Sequence, residues 1–315
     1  MNEKNYAPVI LFTYKRLLHT IKTIEALDAN VLADKSELFI FSDGYKGDED
    51  EAAVKQVRSY LEQYKNDSNF KSVTVYYAEN NHGLANSVID GVTEIINTYG
   101  NVIVVEDDLV TSIDFLKFMN EALEYYEKDE KVWSIAGYTP NIRGLDRYNK
   151  DVYICLRAGS WGWATWRNRW NLIDWDVKDY PIFQKDKKAR KAFGKRGANM
   201  PEMLDAQMKG EVDSWAIRFC YEQYKKNAVT INPTISRVRN MGIDGSGTHG
   251  VNENKWDVIC NQKICEVEFM PVTYNKTLIN SYYEFFVGTK RERVCLWIKK
   301  MGGRVLSLLS KTGKS

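Results

Sequence analysis

Three consecutive carboxylates, Glu106, Asp107 and Asp108, follow four apolar residues in "VIVVEDDLVTSIDF", residues 102–115. Adjacent acids repel one another, and a half-buried carboxylate without a partner costs several kcal/mol. No Lys or Arg adjoins the triplet in the chain. A hard divalent cation is the natural counter-charge, because Mg²⁺ and Mn²⁺ prefer oxygen ligands. Such an ion takes one or two protein carboxylates and completes its shell with phosphate oxygens and water. The chemistry expected here is therefore a metal ion held against a diphosphate.

The elements that must position these acids alternate regularly. "PVILFTY", "ELFIFSDG", "SVTVYYAEN" and "NVIVVEDD" read as strands, and helical spacing falls between them, as in Leu17, Ile21, Ile24 and Leu27. Strand–helix alternation implies parallel strands covered by helices. The unbroken apolar run before Glu106 fits a strand buried on both faces. Each strand ends in polar residues: Tyr14, Lys15 and Arg16; Ser42 and Asp43; Glu79 and Asn80; then the triplet. Open α/β sheets bind ligands outside the carboxyl ends of their strands, so the four ends together describe a site.

The acid stretch resembles the metal-binding motif of GT-A-fold glycosyltransferases, and most of all the N-acetylglucosaminyltransferase I family and its bacterial relatives. The resemblance runs over roughly residues 7–250. It implies a mostly parallel α/β sheet flanked by helices, with Asp108 as ligand to Mn²⁺ or Mg²⁺ and Glu106 and Asp107 against the ribose and sugar of a nucleotide-sugar donor. "TYKR" (13–16) is similar to the family's nucleotide-binding loop, which places Thr13 and Arg16 at the donor. "FSDG" (41–44) is similar to the strand end whose acid meets the uracil imide, nominating Asp43. "EVDSWAIRF" (211–219) resembles the stretch that carries the catalytic base, here Asp213. Where family members have a histidine in the helix before the acids, this chain carries Ser87. The resemblance implies an inverting, metal-dependent transfer from a UDP-sugar, UDP-GlcNAc being one, to a hydroxyl of a glycan or lipid-linked acceptor in bacterial surface polysaccharide synthesis. A sugar nucleotidyltransferase is disfavoured because "TYKRLLHT" has no glycine for a phosphate loop; a non-catalytic sugar-nucleotide or glycan binder is disfavoured by the complete acid set.

Five of the nine tryptophans lie in residues 161–175. Trp163, Trp166 and Trp170 have i, i+3, i+7 spacing and are expected on one helix face packed in the core. Trp161, in "GSWGW", resembles the family's loop beneath the transferred sugar and is expected to line the site. "ISRVRNMGIDGSGTHG" (235–250) has four glycines in its last nine residues. It matches the family's lid, with Arg237, Arg239 and His249 expected near the diphosphate, where closure would exclude water.

Composition sets the remaining bounds. The 315 residues carry 44 Lys/Arg against 42 Asp/Glu, but residues 287–315 hold eight Lys/Arg and one acid, Glu292. The rest of the chain is mildly acidic, which argues against a nucleic-acid partner. Val294, Ile298, Met301, Val305 and Leu308 share a helical face, so residues 287–311 are expected to form a basic amphipathic helix in peripheral contact with membrane. Five scattered cysteines, no signal peptide and no long apolar span give a cytoplasmic expectation, on the inner face of the cell membrane. The expected division is 1–115 as the nucleotide-sugar half, 116–270 as the acceptor-side half of the same domain, and 271–315 as a C-terminal extension.

Overall fold

A computed structural model describes residues 5–244 and 254–288. The first part of the chain forms β1 (Val9–Thr13), α1 (Leu17–Asp28), β2 (Glu37–Ser42), α2 (Asp48–Asp67), β3 (Ser72–Tyr77), α3 (Leu84–Tyr99) and β4 (Asn101–Glu106). It continues through β5 (Leu109–Thr111), α4 (Phe115–Tyr126), β6 (Val132–Ala136), β7 (Val152–Cys155), β8 (Trp163–Trp166) and four short helices. These are α5 (Arg167–Trp170), α6 (Tyr180–Phe183), α7 (Lys187–Phe193) and α8 (Met200–Met208). The last elements are α9 (Trp215–Lys225), β9 (Val229–Pro233), β10 (Val238–Asn240) and α10 (Lys276–Val287).

Eight strands make one sheet in the order β3-β2-β1-β4-β8-β6-β9-β7. β1 pairs in parallel with β2 and β4, and β2 with β3. β8 enters antiparallel between β4 and β6, β9 follows β6 in parallel, and β7 closes the edge antiparallel to β9. This is the mixed, mostly parallel α/β sheet that strand–helix alternation requires. Alternation along β1 divides the core: Val9 and Leu11 face α1, α2 and α4, while Ile10 and Phe12 face α3 and α9. The sheet runs unbroken across residue 115, so both expected halves are built on it.

The tryptophan segment is a strand where helical spacing had predicted a helix. Residues three apart in a strand point to opposite faces, and these do. Trp163 packs with α3 and α9, at 4.6 Å from Trp215 and 5.7 Å from Trp170. Trp166 lies on the other face, where its indole N–H donates to Leu123 O at 3.2 Å. The gap between β4 and β6 recruits these residues as a strand and overrides the 3.6-residue pattern. All three rings are core, as expected.

A two-stranded ribbon pairs β5 with β10, matching Leu109 to Asn240 and Thr111 to Val238. It ties the residues just beyond the acid triplet to the start of the glycine-rich segment. Residues 289–311 of the expected basic helix and His249 lie outside the described residues; the described part of the extension is α10, whose Leu278 and Tyr282 pack with Tyr153 and Cys155 of β7. Among the described residues no helix is long and apolar enough to cross a membrane.

Trp163→Ala is expected to cost about 3–5 kcal/mol, the range for deleting a fully buried large aromatic, and Trp163→Phe much less; urea unfolding of the two variants measures both.

Candidate functional site

The registers bring the strand ends into a row. Phe12 faces Glu106, Thr13 faces Ser42, and Ser42 faces Tyr77. The residues that follow, Tyr14–Arg16, Asp43–Gly44, Ala78–Gly83 and Asp107–Asp108, therefore crowd one edge.

The counter-charge for the acids comes from the neighbouring strand. Arg16 lies beyond the end of β1, and its Nη2 donates to Asp107 Oδ1 and, at 3.0 Å, to Asp108 Oδ2. Backbone groups lock the same corner. Tyr14 N donates to Asp107 Oδ2 at 3.4 Å, and Thr23 Oγ1 to Asp107 O at 2.9 Å. Burial, with Asp108 and Asp107 alongside, pushes Glu106 up to about 8. Asp107 is also raised, by burial, although the Arg16 guanidinium pulls the other way.

Asp108 is buried, and its Oδ1 has no hydrogen-bond partner among the described residues. The chain after β10 covers it: Met241 N donates to Asp108 O at 2.8 Å. Gly242 sits so close that a Cβ there would lie 2.3 Å from Asp108 Oδ2 and 3.1 Å from Arg16 Nη1. Among the described residues no group of three or more His, Cys, Asp or Glu is arranged to hold a metal ion. A Mg²⁺-like cation needs only one or two carboxylates when phosphate and water supply the rest. The orphaned Asp108 oxygen fits that partial donor set.

Asp43 is already engaged. Its Oδ1 accepts from Gly44 N and His82 N, both at 2.9 Å, and its Oδ2 from Asn81 Nδ2 at 3.0 Å and Gly83 N at 3.1 Å. A carboxylate has about four acceptor positions, and all four face this chain's own donors. The residue expected to meet a uracil imide thus clamps the 81–83 loop onto β2. Beside it opens a cavity of about 210 Å³ lined by Phe41, Asp43, Tyr76, His82, Ser87 and Asp90, among others. Phe41 and Tyr76 lie face to face at 4.6 Å and 6°. No Lys or Arg lines the cavity.

Asp213 is exposed, immediately before the Ser214 that caps α9 by accepting from Ile217 N. Its Oδ2 accepts from Ala85 N at 3.1 Å, in the first turn of α3. Anions are favoured at helix N-termini, so Asp213 caps a helix other than the one it precedes. Gly83 makes the approach possible: its φ is +77°, and a Cβ there would stand 2.9 Å from Asp213 Oδ2. Asp43 and Asp213 thus both hold the 83–85 turn, and the flanking His82 and Ser87 line the cavity.

The remaining residues expected at the donor all make contacts within the chain. Arg237 is turned inward, its guanidinium 4.4 Å from the Phe118 ring and its Nε 3.4 Å from the buried Asp114. A buried guanidinium needs such a partner. Arg239 forms a bidentate pair with Asp257 at 2.7 and 3.1 Å. Trp161 is half-buried, edge-on to Tyr138 at 4.6 Å and to Trp256 at 5.5 Å. Thr13 is buried, with its hydroxyl 3.5 Å from Phe41 O. Gly242 and Asn81 escaped notice in the sequence. The one local signal for them is Gly and Asn in turns.

No protein-family profile and no curated protein sequence matches the chain. Among solved structures, S. aureus TarS 1-349 aligns at 12% identity over 76% of this chain and 61% of that one, with a TM-score of 0.46. TarS 1-349 in complex with UDP-GlcNAc aligns at 16% identity over 44% and 36%, with a TM-score of 0.34. The glycosyltransferase GlyE of Streptococcus pneumoniae TIGR4 aligns at 10% identity over 72% and 45%, with a TM-score of 0.36. The chain thus spans about a third to three fifths of the length of these structures, and overlaps of this depth assign it no activity.

Asp43→Asn leaves one acceptor oxygen and turns an NH₂ toward backbone donors. It is expected to cost about 1–3 kcal/mol, the desolvation penalty of the donors left unpaired, read as a lower midpoint in chemical denaturation with an unchanged slope.

Proposed function

We propose that this chain is a glycosyltransferase that moves a sugar from a nucleotide-sugar donor, UDP-linked by the resemblance, to a hydroxyl of a glycan or lipid-linked acceptor. What supports the reading is one juxtaposition. At the edge where four parallel strands end, a buried Asp108 oxygen without a donor among the described residues stands beside Arg16, an aromatic-walled cavity opens at the ends of β2 and β3, and the exposed Asp213 meets the first turn of α3. The sequence resemblance to the N-acetylglucosaminyltransferase I family and its bacterial relatives points the same way.

Charge orients the donor. The cavity carries Asp43, Asp90 and Glu94 and, among the described residues, no Lys or Arg, so it suits the uncharged base and ribose, while the phosphates belong beside Arg16. Arg16 offers a planar fork that suits phosphate oxygens. Phe41 and Tyr76 supply apolar ring surface against which a base can pack. Asp108, with Asp107 beside it, would hold Mn²⁺ or Mg²⁺, and a cation bound there neutralises charge on the departing nucleoside diphosphate.

Asp213 is the residue we assign as general base. One oxygen is held by Ala85 N, which fixes the carboxylate's orientation. The other makes no hydrogen bond among the described residues and is available to an acceptor hydroxyl. Proton removal as that oxygen attacks the anomeric carbon, with the diphosphate leaving from the opposite face, gives inversion. The Trp161, Tyr138 and Trp256 cluster is the acceptor-side surface on this reading, and the basic segment after residue 288 would bring the protein to a membrane carrying the acceptor.

Thermal-shift titration with UDP-GlcNAc and other nucleotide sugars, with and without Mn²⁺, tests donor and metal together. A ligand at a hundredfold its Kd stabilises by about 2.7 kcal/mol. Asp108→Asn is expected to remove the Mn²⁺-dependent part of the shift, and an unchanged shift means that Asp108 is not the ligand. Asp213→Asn is expected to keep the donor shift and lower transfer by about 10²–10⁴-fold, the usual worth of a general base; undiminished turnover assigns that role to another group.

A further inference from the structure

One of the two Asp108 oxygens is already held by the protein's own cation. Arg16 Nη2 bridges Asp107 Oδ1 and Asp108 Oδ2, and the Gly242 backbone closes against the same Asp108 oxygen and against Arg16 Nη1. Asp108 Oδ1 remains buried and unpartnered beside them. A guanidinium on one oxygen of a carboxylate and a divalent ion on the other repel each other, so each weakens the other's hold. The guanidinium and a divalent ion therefore compete for Asp108.

We propose that Arg16 is the resident counter-ion of the acid pair, and that it cedes Asp108 to a divalent cation only when a diphosphate is present to receive the guanidinium. The proposal rests on the glycosyltransferase reading above and adds an order of events to it. Without nucleotide, releasing Arg16 from Asp108 leaves the half-buried guanidinium with Asp107 as its one remaining carboxylate among the described residues, and that loss has a cost. The metal then sees only the fraction of molecules whose Asp108 is free, and its apparent affinity falls by that fraction. A diphosphate supplies the missing anion, with a geometry the guanidinium fork matches. Arg16 moves from carboxylate to phosphate, and the acid edge opens as the donor arrives. Metal and nucleotide thereby raise each other's affinity by the same factor. The packing of Gly242 keeps the resting contact tight, because no side chain stands between the loop and the ion pair.

The test is Mn²⁺ binding followed by electron paramagnetic resonance, with and without UDP, in the wild type and in Arg16→Gln. For the wild type, UDP is expected to tighten Mn²⁺ at least tenfold. In Arg16→Gln, Mn²⁺ alone is expected to bind at least tenfold more tightly than to the wild type, and the enhancement by UDP is expected to fall to threefold or less. Equal or weaker binding of Mn²⁺ alone to Arg16→Gln overturns the proposal. Failure of the wild type to bind Mn²⁺ even with UDP is a separate result that overturns the metal reading itself. Should Arg16→Gln not fold, the wild type decides. The Arg16 Nε–Hε resonance, assigned through Arg16→Lys, is expected to shift on adding Mg²⁺ with UDP and to hold still with Mg²⁺ alone; a resonance that moves equally in both overturns the exchange.

Discussion

The rest of the site is arranged around the repulsion among Glu106, Asp107 and Asp108. Parallel strands set side by side bring their carboxyl ends to one edge, and here that edge receives three acids from a single strand. Local sequence offers them no cation. The sheet order does, by placing β1 next to β4 so that Arg16 reaches Asp107 and Asp108. Burial and the neighbouring acids still push Glu106 up to about 8, and burial raises Asp107 against the pull of Arg16.

Packing on the two faces of the sheet holds this edge steady. On one side α3 and α9 meet across stacked tryptophans, Trp163 against Trp215 and Trp170. That contact fixes how α9 lies relative to α3, and hence where Asp213 meets the Ala85 N–H. From the other side, Arg58 of α2 donates to Ser42 O, Asp43 O and Ala78 O at 3.3, 3.1 and 2.7 Å, lacing the ends of β2 and β3 together. Polar groups at the edge are thus positioned by apolar contacts well below it.

The first four strands and their helices were plain in the sequence, because buried parallel strands read as unbroken apolar runs and their helices as 3.6-residue patterns. Asp108 was legible for the same reason: it ends such a run. Trp163 and Trp166 misled, since a four-residue strand carries too little pattern to outvote a coincidental helical spacing. The partner of the acids was also hidden, because no local rule links Arg16 to residues 91 and 92 positions away. Asp43 was found as a polar strand end, but its four donors belong to a loop whose path only the tertiary structure shows. Arg237 illustrates the opposite failure: an arginine near a glycine-rich segment looked ready for phosphate, yet the buried Asp114 claims it.

The ribbon between β5 and β10 has a consequence for how such a protein can change over time. It staples together two points far apart in the chain, one just past Asp108 and the other just before Gly242. Everything between, from α4 through β9, is an excursion that leaves the acid corner and returns to it at a fixed register. The entropy of closing such an excursion grows only slowly with its length. Residues can therefore be inserted or deleted in the surface connections of that excursion at small entropic cost, while β8 paired with β4 and Asp213 held by Ala85 N tie it back to the edge.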